Sequence, residues 1–287
     1  MLAVATPEII DCGDARLLGF YSPSPTPPRG VAILLHGWEG SADSRYMLAT
    51  GALAHRLGYD VFRLNFRDHG GTHALNEGLF HSCRIDEVVA AVACITERHP
   101  APRTVLIGYS LGGNFALRVA VRARRAGLAL DRVIAICPVL CPHATMRALD
   151  NGLWIYRRHF LHRWRRSLTL KAAAFPHLYD FGDLTRFRTL TAMTAFFVDR
   201  YTEFGSLDAY LDGYALTGEV LAPLDVSARL IAAIDDPVIP SADLARIARS
   251  PALEITLAPA GGHCAFIENL RLGSWLDREL AAELDAL

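Results

Sequence analysis

Lysine is almost absent from this chain of 287 residues, because Lys171 is the only one and arginine supplies nearly all of the 29 basic side chains. The 30 acidic side chains balance them, so the formal net charge is −1 with histidine neutral. Proteins that bind nucleic acids usually carry a large positive excess. The charge therefore argues against a dedicated nucleic-acid-binding protein, and we expect no nucleic-acid partner.

Long apolar runs are also missing. A membrane-spanning helix needs about 18 or more consecutive apolar residues, and no such run occurs here. Residues 1–7 lack the positive segment and apolar stretch of a secretory signal peptide. The six cysteines follow no zinc-binding spacing, which predicts buried or free thiols in a reducing compartment. We therefore predict a cytoplasmic protein without a transmembrane segment, metal or cofactor.

Apolar residues make up 52% of the chain, and they fall into short runs that alternate with helical patterns. Uninterrupted apolar strands that alternate with helices indicate a mostly parallel sheet with helices on both faces. An α/β fold is therefore expected. Strands are predicted at residues 31–36, 60–66, 104–108, 132–139, 228–234 and 253–257, and helices at 44–57, 84–98, 111–126, 241–249 and 270–284.

Two segments break this alternation. Near the start, residues 9–12 and 16–21 flank Gly13-Asp14, which predicts a β-hairpin. Later, a long arginine- and aromatic-rich segment has helical patterns and no convincing strand. We read it as a helical cap over the carboxyl edge of the sheet. The predicted division is an α/β core at 1–140 and 224–287, with the cap at 141–223.

A Gly-x-Ser-x-Gly motif centres on Ser110, between a predicted strand and a predicted helix. A strand-to-helix turn this sharp strains the central residue and needs glycine on both sides, because a Cβ would clash with the neighbouring backbone. The turn raises the Ser110 hydroxyl above the sheet and places the next amide, that of Leu111, at a helix N-terminus where it can stabilise an anion. Ser110 is therefore the candidate nucleophile.

This turn resembles the nucleophile turn of α/β-hydrolases, and the resemblance implies that an acid and a base follow the serine in the order Ser, Asp or Glu, His. Of the 11 histidines, His263 alone follows residue 177, and it stands just after the last predicted strand. Asp235 and Asp236 end the strand before it. Because alternate residues of a strand point to opposite sides, only one of the two can face the imidazole. We favour Asp236 as the acid and keep Asp235 as the alternative.

A second anion-stabilising amide is expected in His36-Gly37-Trp38-Glu39-Gly40, which follows the first parallel strand. A loop of this form would present the Trp38 N–H opposite that of Leu111. Preorganised donors of this kind each lower a barrier by about 3–4 kcal/mol.

Together these residues resemble the α/β-hydrolase superfamily, and within it the YheT-like branch of bacterial proteins assigned as carboxylesterases. The resemblance covers about residues 9–284. It departs from the branch at Asp68, where glycine is usual, and at Phe80-His81-Ser82-Cys83, where the branch usually has Tyr-His-Ser-Gly. The most specific matches are Gly108-Tyr109-Ser110-Leu111-Gly112-Gly113-Asn114, Asn65-Phe66-Arg67, Asp235-Asp236-Pro237, Gly261-Gly262-His263 and the cap from 174 to 204 with Tyr210.

The expected function is that of a serine carboxylic-ester hydrolase with a Ser110–Asp236–His263 triad, an oxyanion hole at Trp38 and Leu111, and a small-molecule ester or lipid-like substrate. Two alternatives stay open: an acyltransferase with the same triad, and a lipid-directed lipase or phospholipase. The basic, aromatic segment 154–166 could touch a membrane surface, although closing the pocket with its apolar face is the favoured interpretation.

Overall fold

The computed structural model describes residues 1–269 and 273–287, and its eight strands form a single sheet. The strands are β1 (Thr6–Asp11), β2 (Arg16–Ser22), β3 (Gly30–Leu35), β4 (Tyr59–Leu64), β5 (Thr104–Tyr109), β6 (Arg132–Ile136), β7 (Ala228–Ala233) and β8 (Leu253–Ala258). The helices are α1 (Arg45–Arg56), α2 (Ile85–Arg98), α3 (Leu111–Ala126), α4 (Pro142–Asn151), α5 (Trp154–Ala174), α6 (Leu190–Tyr201), α7 (Leu207–Asp212) and α8 (Trp275–Ala286).

The sheet is mostly parallel, in the order β1-β2-β4-β3-β5-β6-β7-β8. Strands β3 to β8 pair in parallel, whereas β2 lies antiparallel to both β1 and β4. The predicted hairpin is therefore present, and it extends a parallel sheet by two strands. The α/β prediction is confirmed.

Helices cover both faces of the sheet because each buries one apolar stripe against it. One core contains apolar side chains of α1 and α8, and the other contains those of α2, α3 and the segment between β6 and β7. The strands between them, such as β3, β4 and β5, are buried along their whole length. None of the helices in the described ranges is long and apolar enough to cross a membrane.

Three predicted element boundaries need correction. The helix predicted at 241–249 is a 3-10 turn, Ser241–Arg246, which ends where Ile247 pairs with Gly218 as a β-bridge. The strand predicted to reach residue 139 ends at Ile136, since Cys137 has a φ of +44° and Pro138 cannot donate to a ladder. The first residues of the helix predicted at 270–284 lie outside the described residues, and α8 begins at Trp275.

Helices α4 to α7 stand between β6 and β7, within the segment predicted as a cap. The long helix α5 turns its apolar side inward: the Phe160 ring stacks on Trp38 with centroids 5.3 Å apart, and Trp164 meets the same indole edge-on. This is the packing that was favoured for segment 154–166. The division of the chain into a core and a separate cap stays a prediction.

The only lysine, Lys171, is buried and links α5 to the loop after β4 through hydrogen bonds. Lys171 Nζ donates to Asp68 Oδ1 at 2.8 Å, to the Asn76 carbonyl at 2.6 Å and to the Gly78 carbonyl at 3.0 Å. Asp68 has a φ of +60°, a conformation that favours glycine. The ion pair with Lys171 helps to hold the aspartate in this conformation.

Replacing Lys171 with methionine is expected to lower the free energy of unfolding by about 3–5 kcal/mol, because it leaves the buried Asp68 carboxylate without its partner. The measurement is urea unfolding at neutral pH. The matched control is the double variant Asp68→Gly/Lys171→Met, which removes both charges and relieves the backbone strain, and should recover most of the loss. A single variant as stable as the parent chain would contradict this account.

Candidate active site

Ser110 stands at the tight turn from β5 into α3, with φ 53° and ψ −117°. This strained conformation holds only because the surroundings dictate it. A Cβ on Gly108 would lie 2.1 Å from the Gly112 carbonyl oxygen, and one on Gly112 would lie 2.3 Å from the Leu35 carbonyl oxygen. The two glycines of the motif are thus required by close backbone approach, and the turn presents the Ser110 hydroxyl at the carboxyl edge of the sheet.

The three polar residues singled out in the sequence form one hydrogen-bonded chain. His263 Nδ1 lies 2.9 Å from Asp236 Oδ2, and His263 Nε2 lies 3.0 Å from Ser110 Oγ. Because a carboxylate only accepts hydrogen bonds, Nδ1 carries the proton and Nε2 accepts from the Ser110 hydroxyl. The Asp236 side chain is 2% exposed and that of His263 13%, so the acid is shielded while the imidazole can still meet a ligand.

The neighbouring aspartates have separate partners. Asp236 Oδ1 also accepts from the amides of Val238 at 2.8 Å and Ile239 at 3.0 Å. Asp235 points the other way, and its Oδ1 accepts from the amides of Gly261 at 2.8 Å and Gly262 at 2.9 Å. Asp236 is therefore the aspartate that contacts the imidazole, and Asp235 contacts the glycine loop that carries His263.

The two amides expected to bind an oxyanion belong to segments beside Ser110: Leu111 follows it, and the loop of Trp38 approaches it at Gly37, where an added Cβ would lie 3.2 Å from the Ser110 Cβ. Within the loop after β3, the Gly37 N–H donates to the Tyr46 hydroxyl and the Glu39 N–H donates to His69 Nε2. Among the described residues the Trp38 N–H has no hydrogen-bond acceptor, and neither has the N–H of Leu111 at the first position of α3. These two donors are left available for a ligand.

Buried neutral histidines fix the shape of this loop. His36 Nδ1 donates to the Gly37 carbonyl at 2.7 Å, and His36 Nε2 accepts from the Phe66 N–H at 3.1 Å. Burial lowers the pKa of His36 from 6.5 to about 4. Burial, followed by the nearby His36, also lowers the pKa of His69 well below 6.5, and burial lowers that of His81 to about 3. All three rings are therefore neutral at neutral pH.

The stability of the fold should fall as the pH drops below the histidine pKa of 6.5 that applies to the unfolded chain. In the unfolded state His36 then binds a proton. In the folded state the same ring stays neutral until the pH falls to about 4. Each such histidine adds up to about 1.4 kcal/mol of lost stability per pH unit in that window.

Urea unfolding at several pH values between 7 and about 4.5 measures this slope directly. The variant His36→Gln should be less stable at neutral pH. Its free energy of unfolding should fall less steeply as the pH is lowered, with a slope smaller by about one bound proton. An unchanged slope in the variant would show that His36 does not contribute.

Ser110 lies between two cavities of different character. An inner pocket of about 80 Å³ extends beneath α5, and an outer cleft of about 670 Å³ opens to solvent. His263 lines the outer cleft and is absent from the described lining of the inner pocket. The apolar side chains around the inner pocket include Trp38, Phe80, Leu111, Met146, Phe160 and Trp164.

The sequence pattern of the α/β-hydrolase fold matches residues 31–270, most of the chain. The chain belongs to this family. The α/β hydrolase is 23% identical over 286 residues to YheT of Escherichia coli (strain K12), a protein named provisionally as an esterase, with 95% of this chain and 82% of YheT covered. The resemblance found in the sequence is thereby confirmed.

Solved structures resemble this α/β hydrolase in fold. An esterase of Pyrococcus furiosus superposes with a TM-score of 0.62 at 16% identity, covering 98% of this chain and 90% of the other. A serine hydrolase of Cycloclasticus zankles superposes with a TM-score of 0.64 at 16% identity, covering 98% of each chain. The chain is thus an α/β hydrolase whose relatives include proteins named as esterases.

Two clusters near the site escaped the sequence analysis. The Asp68–Lys171 pair joins residues 103 positions apart. A second cluster consists of Cys137, His263 and Cys264, whose ligand-forming atoms all lie within 4.8 Å of one another. The histidines at 69, 73 and 81 form no comparable group among the described residues. The sequence shows the glycine-rich loop beside Cys264. It has no local pattern that predicts Cys137 as a neighbour of that loop.

Proposed function

We propose that this α/β hydrolase cleaves carboxylic esters through an acyl-enzyme formed on Ser110. The supporting observation is the continuous hydrogen-bonded chain from the Ser110 hydroxyl through His263 to the shielded Asp236 carboxylate. In this arrangement the imidazole removes the serine proton as Oγ attacks the carbonyl carbon, and the carboxylate stabilises the resulting imidazolium.

The negative charge that develops on the carbonyl oxygen would be met by the Trp38 and Leu111 amides. The protonated His263 then gives its proton to the departing alcohol as the C–O bond breaks. Water enters, loses a proton to the same imidazole and attacks the acyl group, which releases the acid and restores Ser110. No group beyond these side chains and amides is needed for the cycle.

The linings of the two cavities support a separate place for each half of the ester. The leaving oxygen must approach His263 to receive its proton, and His263 lines the outer cleft. The alcohol half therefore belongs in the outer cleft. The acyl half belongs in the inner pocket, where Phe160 and Trp164 of α5 provide apolar walls.

A short acyl chain is expected to give the fastest turnover. The inner pocket of about 80 Å³ holds only a few carbons, since an apolar cavity of about 150 Å³ accommodates one benzene molecule. Measured kcat/KM on p-nitrophenyl esters should be highest for acetate to butyrate and fall by about tenfold or more at decanoate, because a longer chain must displace packed side chains.

Substituting Trp164 by alanine should move this optimum toward longer chains, because it enlarges the inner pocket and leaves the polar groups in place. The variant Trp154→Ala is the matched control, since Trp154 is 62% exposed and lies outside the inner pocket. A parent enzyme that prefers decanoate would refute the assignment of the acyl half.

An acyltransferase with the same triad would pass the acyl group to an alcohol instead of water. Adding methanol and measuring the amounts of methyl ester and free acid distinguishes acyl transfer from hydrolysis.

A lipid-directed reaction is a second candidate, on a separate observation. Leu153, Trp154 and Ile155 are each more than half exposed at the start of α5, beside a surface cleft lined by Arg157 and Arg158. Exposed apolar residues next to cations suit an anionic lipid surface. Co-sedimentation with anionic but not zwitterionic vesicles would support it, and no lipid-dependent pelleting of the parent chain would remove it.

A further inference from the structure

Two thiols lie beside the imidazole of His263, on the loops that follow β6 and β8. Cys137 follows β6 and Cys264 follows His263, and both have left-handed backbones, with φ of +44° and +70°. The ligand-forming atoms of Cys137, Cys264 and His263 all lie within 4.8 Å of one another.

Thiolate sulfur and imidazole nitrogen are the ligands that zinc and related soft divalent cations prefer. In a tetrahedral site with bonds of about 2.0–2.3 Å, neighbouring ligand atoms stand roughly 3.5 Å apart. The three atoms therefore need to move by little more than about 1 Å to meet one cation. Two thiolates and a neutral imidazole also cancel the charge of a dication, which suits a buried position.

Burial and the neighbouring Cys137 raise the pKa of the Cys264 thiol, so a cation must drive its deprotonation by binding the sulfur. Cys137 Sγ lies 3.9 Å from the Gly262 carbonyl oxygen, and Cys264 Sγ lies 3.9 Å from the Ile136 carbonyl oxygen. Both contacts are long and weak, since a thiol is a poor donor. Cys264 and His263 line the outer cleft, which gives a cation a path from solvent.

We propose that Cys137, Cys264 and His263 form an inhibitory site for a soft divalent cation such as Zn²⁺ or Cd²⁺. Binding transfers two thiol protons to solvent and forms two metal–sulfur bonds and one metal–nitrogen bond. Because His263 Nδ1 keeps its proton for Asp236, the cation would bind the lone pair of Nε2, which accepts from Ser110 in the metal-free chain. Occupancy thus removes the base from the serine. The inhibition of catalysis rests on the proposed function. The binding of the cation does not.

Cadmium gives a direct test, because cadmium–thiolate bonds absorb in the ultraviolet independently of any ester. The reduced, chelator-treated full chain should show this absorption with one equivalent of Cd²⁺. Cys137→Ser and Cys264→Ser, tested separately, should each weaken binding by about 100-fold or more, since each removes one of three ligands. Cys94→Ser is the matched control, a partly buried cysteine outside the cluster, and should bind as the parent does.

Hydrolysis of p-nitrophenyl acetate supplies the second readout. One equivalent of Cd²⁺ should reduce the parent rate by about tenfold or more, and a chelator should restore it, while Mg²⁺ should have no effect because it prefers oxygen ligands. Both serine variants should retain activity in Cd²⁺. Equal cadmium absorption in the parent and both cysteine variants, or none in the parent, would overturn the site. A chain that binds Cd²⁺ but cleaves no ester would instead overturn the proposed function.

Discussion

Replacing Ser110 with alanine is expected to abolish ester turnover, with a loss on the order of 10⁶ in kcat. The hydroxyl is the proposed nucleophile, and among the described residues it is the group that His263 Nε2 contacts. Alanine removes one oxygen atom and keeps the turn between β5 and α3. Thermal melting of the variant should therefore resemble that of the parent chain.

A fluorophosphonate probe provides a measurement that does not depend on knowing the substrate. It should label the parent chain on the peptide that contains Ser110, and labelling should disappear in Ser110→Ala. Ser82 offers a matched control: it also lines the inner pocket, but its hydroxyl is hydrogen-bonded to Tyr210. Ser82→Ala should keep the label. Persistent labelling of Ser110→Ala would refute the assignment of the nucleophile.

Asp236→Asn should reduce kcat by a factor on the order of 10⁴, the loss seen when a comparable aspartate is changed in a protease. The amide oxygen of asparagine can still accept from Val238 and Ile239, which bind Asp236 Oδ1. Its NH₂ group then faces His263 Nδ1, which must accept instead of donate. The proton moves to Nε2, and the imidazole can no longer take the proton of Ser110.

Asp235→Asn is the matched control, because it makes the same chemical change at the neighbouring residue. Its carboxylate holds the amides of Gly261 and Gly262, so the variant should mainly lower the melting temperature. Kinetics and melting curves on both variants decide the assignment. If Asp235→Asn were inactive and well folded while Asp236→Asn kept its rate, the two roles would be exchanged.

The α/β-hydrolase fold could be predicted from the sequence because its strands are short apolar runs, each followed by a helical pattern. Ser110 was visible for a related reason, since the turn around it demands glycine on both sides. His263 and the aspartate pair followed from the chain order Ser, Asp, His and from their positions after the last two strands, while Asp235 stayed an alternative to Asp236. Geometry now places these three side chains in contact, and their catalytic roles stay predictions.

Other parts of the site depend on packing that no local pattern records. The approach of Cys137 to Cys264 depends on two loops whose backbones have positive φ, and neither residue belongs to the types that announce such a turn. The orientation of Asp68 depends on Lys171, which reaches it from α5. The size of the inner pocket depends on how the aromatic face of α5 lies against Trp38. Periodicity predicts that face but not its distance from the sheet.

The solitary, buried lysine has a consequence for how this protein can be handled chemically. Because the Lys171 side chain is 1% exposed and no other lysine exists, the native surface offers no side-chain amine to acylating labels, aldehydes or amine-directed crosslinkers. Its ε-amine becomes reactive only when α5 separates from the loop that holds it. The rate at which Lys171 gains one acetyl group during pulsed acetylation would therefore measure how often α5 separates from this loop.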